Sequence, residues 1–449
     1  MLRLAVKNLR AVSDAAIELK DITVLSGVNA CGKSTLSKTL YHILHTAINF
    51  DDLQSEIYSQ QISNLFFGIS RTFREGLNRL PSSVIAQSEK LKILAERKWW
   101  LRTSVPSHDD VRGLLNAIQR YMELVDKSNS SSRSKQWFFA GLKRYMPDLT
   151  TDEADGEQIV EALTLAFSNI EAEFNKKLAK RPLSFLNNII EQSLQLDRRL
   201  KNEVDVVFQM PNGTYESLLD IKQQRLQTPP GVDRIFYIDT PWVIDAEDTN
   251  VEDDRLKHRK HLIQSLTSRE SSHFSSQIDI SNIINGNVER DENSIMDNDF
   301  KFKTLSGIIF DLFQCATGIK SFSILQILLR KGLLDDGTVL VIDEPEAHLH
   351  PQWVVEYARL ITLLNKHLGV RFFISTHSPD MVQAIQASAE EADKNESTLF
   401  YLASKSKNHE NTFQFDALGF DIAPIFKSFN VALSKISGET AYSVNTSVK

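Results

Sequence analysis

Residues 338–351 read TVLVIDEPEAHLHP, an apolar run that ends in acidic residues. The residues before the first acid are apolar and mostly β-branched, which is typical of a buried strand in a parallel sheet. Asp343 and Glu344 then stand at the carboxyl end of that strand, where open α/β sheets bind their ligands. Because neighbouring carboxylates are costly to desolvate without a cation or hydrogen bonds, we interpret the pair as a magnesium site beside a nucleophilic water. Asp343 is expected to face the metal, and Glu344 the water.

A phosphate-binding loop is predicted near the start of the chain. Residues 27–34, GVNACGKS, match the pattern G-x-x-x-x-G-K-[ST] in full, follow the apolar run 22–25 and precede a segment with helical apolar spacing. Backbone N–H groups would hold the phosphates, Lys33 would reach the β- and γ-phosphates, and Ser34 would complete the magnesium shell. The predicted ATP-binding residues are Gly27, Asn29, Ala30, Cys31, Gly32, Lys33, Ser34 and Thr35, and the predicted metal ligands are Ser34 and Asp343.

Composition narrows the class of protein. The 449 residues are 42% hydrophobic and 24% charged, as in ordinary globular proteins. The net charge of −7 argues against a uniformly basic nucleic-acid binder, although a local basic face remains compatible with it. The two cysteines are too few for a disulfide framework or a zinc cluster, which fits a reducing compartment. No apolar run approaches the roughly 20 residues that a membrane span needs, so we expect a cytoplasmic protein that is not embedded in a membrane.

The chain divides by sequence character. Short strands before residue 27 predict a small β subdomain that covers a nucleotide base. Residues 49–200 have long helical patterns, few glycines and several breaks, which predict a mainly helical insertion. The predicted ATPase head is therefore discontinuous, comprising residues 1–48 and 201–449. The basic cluster at residues 255–261 could contact nucleic-acid phosphates, but a solvated helix face is the favoured interpretation.

Two further elements are predicted to lie near the phosphates. Residues 317–321, TGIKS, open a helix with backbone N–H groups, a lysine and a serine at its N-terminus, although such residues also serve as ordinary helix caps. His377 follows the apolar run 372–374, at a strand's carboxyl end, where it can contact a γ-phosphate. A lone histidine is more often structural, but its place beside the other motifs favours a functional role.

Taken together, the P-loop and residues 317–321, 343–351 and 375–378 resemble the ABC-type ATPase heads of the group that includes OLD-like and RecF-like proteins. The resemblance covers residues 1–48 and about 200–430. Within that group, residues 238–241 and 418–421 are most similar to the PtuA-like ATPases of Septu anti-phage defence systems, which also accompany some retrons. The implied fold is α/β, a P-loop NTPase of ABC ATPase-head type with a small N-terminal β subdomain and a large helical insertion.

The resemblance implies ATP hydrolysis with Mg²⁺ in a homodimer or higher oligomer that encloses ATP between two subunits. Glu344 and His377 are the implied catalytic residues. A signature-like set would act in trans, with Gly318 and Ser321 of one subunit reaching the γ-phosphate bound by Lys33 of the other. This set comprises Thr317, Gly318, Lys320 and Ser321.

The PtuA-like resemblance adds a partner HNH nuclease that acts on DNA and is restrained by nucleotide. No nuclease motif is visible in this chain, so DNA cleavage would belong to that partner. The sequence departs from the ABC pattern at two places: no glutamine follows Ile238, and Thr317-Gly318-Ile319 replaces Ser-Gly-Gly. Both departures predict slow turnover.

Three functions are compatible with these features. The first is a switch ATPase that controls a DNA-directed effector in an anti-phage defence complex. The second is a RecF-like DNA-repair ATPase that binds DNA directly. The third is the motor subunit of a membrane transporter, against which the long insertion and the missing glutamine both count.

Overall fold

The computed structural model describes residues 2–79, 105–126, 131–146, 156–195, 204–209, 215–220, 222–245, 257–268, 278–290, 300–347, 349–406 and 411–428. Parts of the predicted insertion (80–104 and 196–200), His348 of the acidic motif and the end of the predicted head (429–449) lie outside these residues. None of the helices in the described part is long and apolar enough to cross a membrane.

The chain forms two compact units. The first comprises Met1–Ile48 and Pro182–Lys449, and the second comprises Asn49–Arg181. The sequence places the end of the insertion near residue 200, whereas the structure places it at Arg181. The difference arises because the helix Leu183–Leu194 packs against the helix that follows the P-loop and so belongs to the first unit.

The first unit contains most of the strands. In the described residues they are β1 (Leu2–Leu9), β2 (Val12–Leu19), β3 (Ile22–Ser26), β4 (Val204–Gln209), β5 (Tyr215–Ser217), β6 (Leu219–Asp220), β7 (Arg225–Leu226), β8 (Arg234–Ile238), β9 (Gly286–Arg290), β10 (Phe300–Thr304), β11 (Ile309–Asp311), β12 (Thr338–Asp343), β13 (Arg371–Thr376), β14 (Thr398–Lys405) and β15 (Phe413–Gly419). Three of these, β9 to β11, form a separate small sheet, and β6 pairs with β7.

The helices divide between the two units. They are α1 (Lys33–Ile48), α2 (Phe50–Leu77), α3 (His108–Asp126), α4 (Ser131–Leu142), α5 (Gly156–Lys180), α6 (Leu183–Leu194), α7 (Lys257–Thr267), α8 (Ser281–Ile284), α9 (Thr317–Arg330), α10 (Pro351–Leu368) and α11 (Pro379–Glu391). Helices α2 to α5 make up the second unit in its described part, and they pack around their own core of Phe66, Ile69, Phe73, Ile118 and Phe138.

A ten-stranded sheet organises the first unit, in the order β5-β4-β1-β2-β15-β14-β3-β13-β12-β8. The five strands from β14 to β8 are parallel to one another. They are apolar because helices cover the sheet: α1 packs on β8, β12 and β13, and α10 packs on β13. The predicted α/β fold class is confirmed.

The strand order determines where the motifs meet. Strand β13 lies between the P-loop strand β3 and the acidic strand β12, and β8 flanks β12 on its other side. Because these strands are parallel, their carboxyl ends meet at one edge of the sheet. That edge brings together the P-loop, the acidic pair and the residues that follow β13 and β8.

Candidate nucleotide-binding site

The P-loop is a tight turn between β3 and α1. Gly32 has a φ of +102°, and a Cβ atom added there would lie 2.5 Å from Cγ2 of Val12. A Cβ atom added to Gly27 would lie 2.6 Å from Cβ of Ala403. Both positions therefore require glycine. The loop presents the N-terminus of α1, whose free N–H groups and dipole favour phosphate.

Lys33 lies inside this loop. Its ammonium donates to the carbonyl oxygens of Gly27 (2.8 Å) and Val28 (3.0 Å), and its Nζ lies 3.9 Å from Sγ of Cys31. The two backbone carbonyls hold the Lys33 ammonium at the centre of the P-loop. None of these three contacts is with a carboxylate. Burial raises the pKa of the Cys31 thiol, so that side chain stays protonated and neutral. The loop is thus compatible with a bound phosphate chain.

The remaining predicted P-loop residues differ in how exposed their side chains are. Asn29, Ala30 and Ser34 are exposed at the mouth of the loop, whereas Thr35 is buried. Ala30 has a φ of +64°, which is uncommon for a residue with a side chain and belongs to the turn. Their roles in nucleotide binding stay predictions.

Asp343 is held by hydroxyl groups on both neighbouring strands. Its Oδ1 accepts from Ser375 Oγ at 2.5 Å, and its Oδ2 accepts from Tyr237 OH at 2.5 Å. Burial, followed by the nearby Asp343 carboxylate, raises the pKa of Tyr237 well above its usual range, so this phenol remains a donor. Sequence reasoning missed both partners, because only the register of β12 with β13 and β8 brings them to Asp343.

Glu344 and His377, the predicted catalytic pair, lie together. Oε1 of Glu344 is 3.1 Å from Nδ1 of His377. The backbone of Glu344 has a φ of +49°, in the left-handed region that side chains rarely adopt, and its N–H donates to the carbonyl of Ser375 at 2.7 Å. Such strained residues persist where surrounding contacts hold them, and they cluster at functional sites.

Glu346 fixes the turn that carries His377. Its Oε1 accepts from Thr376 Oγ1 (2.6 Å) and from the backbone N–H of His377 (3.2 Å), and it also lies 3.5 Å from Nδ1 of His377. The side chain of Glu346 is nearly buried. The sequence shows this residue within the acidic motif, but its contacts depend on the neighbouring strand.

Some of these residues line a cavity of about 390 Å³. Its walls include Ser34 of α1, Asp343 and Glu344, and Ser321 of α9. The structure therefore brings both predicted metal ligands and the predicted base to a shared space. Mg²⁺ is commonly bound by one or two protein oxygens together with phosphates and waters, which fits the pair Ser34 and Asp343.

The signature-like residues lie at the N-terminus of α9, mostly in the interior of their own subunit. Lys320 is only 1% exposed, and its Nζ donates to Asp245 Oδ2 (2.6 Å) and to the carbonyl of Phe313 (2.7 Å). A Cβ atom on Gly318 would lie 2.5 Å from the ring of Trp353. Ser321 lines the cavity of its own chain, while its hydroxyl donates to the carbonyl of Thr317. A role in trans for this set stays a prediction.

The environment of Lys320 leads to a stability prediction. Lys320→Met is expected to lower the free energy of unfolding by about 3 kcal/mol, because it leaves Asp245 without its buried partner. Lys320→Met/Asp245→Asn should recover part of that loss. Urea denaturation of both variants measures the change. A Lys320→Met variant as stable as the wild type, yet defective in ATP-dependent dimerisation, would favour a role in trans.

Asp239, at the end of β8, is another acidic wall residue of the cavity. Arg259 donates to it through Nε (3.0 Å) and Nη2 (2.7 Å), and Nε2 of His258 lies 3.0 Å from its Oδ2. Burial alone would raise the pKa of Asp239, but the hydrogen bonds from His258 and Arg259 outweigh it and lower this pKa to about 2. The favoured interpretation of the basic cluster as a solvated face is therefore wrong for His258, whose side chain is 1% exposed, whereas Arg259 is partly exposed while it binds Asp239.

Behind the cavity, four histidines pack between α1 and α7. His45 and His261 have ring centroids 4.4 Å apart, and Tyr41 OH lies 3.2 Å from His261 Nδ1. Burial lowers the pKa of His42 to about 3 and that of His261 to about 4, and burial also lowers the pKa of His45 well below its usual range. The rings of His42, His45 and His261 are therefore neutral in the folded protein near pH 7. Aromatic and histidine spacing in the sequence gave no indication of this cluster.

The buried histidines make the folded protein sensitive to acid. Between pH 6.5 and about pH 4, the unfolded chain binds protons at these histidines and the folded chain does not, so stability falls as pH falls. Each such histidine should lower the free energy of unfolding by about 1.4 kcal/mol per pH unit in that window. Urea denaturation at pH 7, 6 and 5 measures the slope. His261→Phe should reduce it and the exposed His367→Phe should not; equal slopes in all three proteins would contradict this account.

The fold and this site define a P-loop ATPase. The chain belongs to the AAA ATPase domain family, whose model matches residues 1–382. Among solved structures, the chain is similar to the SMC head domain from Thermotoga maritima, with 11% identity, coverage of 93% of this chain and 98% of that chain, and a TM-score of 0.34. It is also similar to the Smc head domain with an extended coiled coil bound to the C-terminal domain of ScpA, derived from Pyrococcus furiosus. That match has 10% identity, covers 97% and 100% of the two chains, and has a TM-score of 0.32. No curated protein matches the chain significantly.

Proposed function

We propose that this chain is the ATP-binding and ATP-hydrolysing switch subunit of an anti-phage defence complex, and that it controls a partner HNH nuclease acting on DNA. The observation that carries the ATPase part is the convergence of Lys33 and Ser34, Asp343, and the Glu344–His377 pair at one edge of the sheet. The defence role and the nuclease partner rest on the resemblance of residues 238–241 and 418–421 to PtuA-like ATPases.

In this proposal, the P-loop amides and Lys33 bind the phosphates of ATP, with Ser34 and Asp343 as the protein ligands of magnesium. Tyr237 and Ser375 orient the Asp343 carboxylate by donating to both of its oxygens. The bound metal would neutralise charge on the β- and γ-phosphates. Because Asp343 is already hydrogen-bonded in its working position, little reorganisation is needed when ligands arrive.

Glu344 is the proposed general base that orients the attacking water and accepts its proton. Nδ1 of His377 lies 3.1 Å from Oε1 of Glu344, so the ring is placed beside the carboxylate of the proposed base. Glu346 accepts from the backbone N–H of His377 and so anchors the turn that carries this ring. Where an ABC ATPase carries a metal-sensing glutamine, this chain has Asp239 tied to Arg259. That arrangement supports slow hydrolysis, which suits a switch better than a motor.

The test is purification of the tagged chain from its native operon. The expected result is that a nuclease copurifies and that the eluate cuts DNA when ATP is withdrawn. A parallel preparation carrying Lys33→Ala should cut DNA without restraint by ATP. A lone protein that binds DNA only with ATP would overturn the defence proposal and support the RecF-like repair alternative.

A further inference from the structure

A hairpin of the first unit carries large apolar side chains that are exposed. Strands β10 and β11 form this hairpin, and the 3₁₀ turn Leu312–Gln314 follows it. We define the hairpin surface as six large apolar residues that are each between 45% and 61% exposed. They are Trp242, Leu305, Ile308, Ile309, Phe310 and Phe313.

The surface is continuous with the rest of the unit. Trp242 and Phe313 lie next to each other, because Nζ of Lys320 is 2.7 Å from the Phe313 carbonyl and 4.6 Å from the Trp242 ring centroid. The turn that carries Phe313 also packs against β10. Exposed apolar patches beyond a few hundred Å² mark interaction sites in soluble proteins.

Strand β11 is uncovered on both faces and at its outer edge. Ile309 and Phe310 are neighbours on this strand, so their side chains point to opposite faces, and both are exposed. The small sheet has the order β11-β10-β9, and no strand in the described part of the chain pairs with the outer edge of β11. Natural proteins usually protect such edges, because an exposed apolar edge strand is a template for pairing with another chain.

We infer that the hairpin surface is a self-association interface, in which β11 pairs antiparallel with β11 of a second copy of this chain. A two-fold axis generates an antiparallel pair of identical strands, with Phe310 at the centre of this three-residue strand next to the axis. The six side chains expose on the order of 600 Å², given that a buried aromatic residue covers 150–250 Å². A stable interface buries about 800 Å² per partner, so these six side chains alone would supply about three quarters of that area.

This interface needs no nucleotide, and it therefore differs from the proposed ATP-enclosing dimer. It adjoins the nucleotide cavity at Trp242, which follows the cavity residue Pro241. Its Phe313 carbonyl also accepts from Lys320, which precedes the cavity residue Ser321. Pairing through β11 would thus hold two cavities in one assembly before ATP binds.

Light scattering of the full chain in EDTA, without nucleotide, tests the inference. The wild type is expected to have twice the monomer mass, and Phe310→Lys the monomer mass. Val355→Lys is the matched control, because Val355 is a 54% exposed apolar residue on α10, and it should keep twice the monomer mass. All three proteins should bind ATP equally and melt at similar temperatures, since both substituted side chains are exposed.

Crosslinking provides the second readout. In a Cys315→Ser background, Phe310→Cys should form an intersubunit disulfide under mild oxidation, and Val355→Cys should not. A monomeric wild type in EDTA, or a dimer that Phe310→Lys leaves intact, would overturn the inference. If Phe310→Lys abolished only an ATP-dependent dimer, the hairpin would belong to the ATP-enclosing interface, and the nucleotide-independent one would be ruled out. None of these outcomes bears on whether a nuclease copurifies, so the two proposals fail separately.

Discussion

Lys33→Ala is expected to lower the affinity for ATP by at least about 100-fold. The ammonium lies at the centre of the P-loop, where it donates only to the carbonyls of Gly27 and Val28 and to the Cys31 sulfur in the observed contacts. Phosphate oxygens would replace those neutral acceptors with charged ones, and hydrogen bonds to charged groups contribute about 1.5–3 kcal/mol each. Losing two of them costs about 3–6 kcal/mol, which corresponds to at least about 100-fold in affinity, and a charge is lost as well.

Calorimetric titration with a slowly hydrolysed ATP analogue measures this loss. Lys366→Ala, an exposed lysine in the last turn of α10, is the control and should bind like the wild type. Lys33 also bridges two carbonyls of its own loop, so its loss could weaken ATP binding by unfolding the loop. Melting temperatures of the variant and the wild type test for that effect. Unchanged ATP affinity in a folded Lys33→Ala protein would overturn the P-loop assignment.

The elements of the site that are local in sequence could be predicted from it. The strand–loop–helix order around residues 22–47 and the apolar run before Asp343 both reflect short-range patterns, and the structure has β3, α1 and β12 at those places. The position of His377 after β13 follows the same rule, since carboxyl ends of parallel strands share an edge. Its contact with Glu344 follows from that shared edge.

The side-chain contacts that the sequence could not predict depend on how distant parts of the chain pair and pack. Tyr237 reaches Asp343 across 106 residues of chain, and Arg259 reaches Asp239 because α7 packs against β8. A tyrosine on a buried strand normally indicates core packing, so nothing local distinguishes one that orients a carboxylate. The same limit explains why the environment of Lys320 was not predicted.

The position of Lys320 beside a glycine and a serine suggested an anion site, but its burial and its pairing with Asp245 depend on the fold.

The insertion boundary shows a related limit. Helix α6 has the same apolar periodicity as the helices of the second unit, yet it packs on α1 and so extends the ATPase head. Periodicity identifies a helix and the width of its apolar face but not the partner that covers the face. For the basic cluster, the sequence likewise indicated the helix and its charges, while the carboxylate that accepts from Arg259 is that of Asp239, directly after β8.

Glu344→Gln is expected to reduce ATP turnover by about 100- to 10,000-fold while ATP affinity is retained. General bases typically contribute rate factors of this size. The substitution keeps the size of the side chain, so a glutamine oxygen can keep the place of Oε1, 3.1 Å from Nδ1 of His377 in the wild type. The side chain at residue 344 therefore keeps its position but can no longer act as a base. Steady-state phosphate release measures the rate, and a near-normal rate would assign the base to another group.

Glu346→Gln is the matched control for this substitution. Glu346 lies two residues on in the same turn, but it contacts the protein through Thr376 Oγ1 and the backbone of His377, and an amide oxygen can accept from both. We therefore expect a smaller loss of rate, well under 100-fold. An equal loss in both variants would mean that the shape of the turn, and not the basicity of Glu344, limits hydrolysis.

The same Glu344→Gln variant tests the ATP-enclosing dimer, because a protein that binds ATP without hydrolysing it accumulates in its ATP-bound assembly. The Phe310→Lys background removes the proposed β11 interface, so the starting species there is a monomer. In that background, Glu344→Gln should double in mass when ATP and Mg²⁺ are added, as measured by light scattering, and Lys33→Ala should not. Equal masses with and without ATP would contradict the dimer while leaving the assignment of Glu344 as the base intact. Hydrolysis in that case would be completed within one subunit, where Ser321 already lines the cavity beside Asp343 and Glu344.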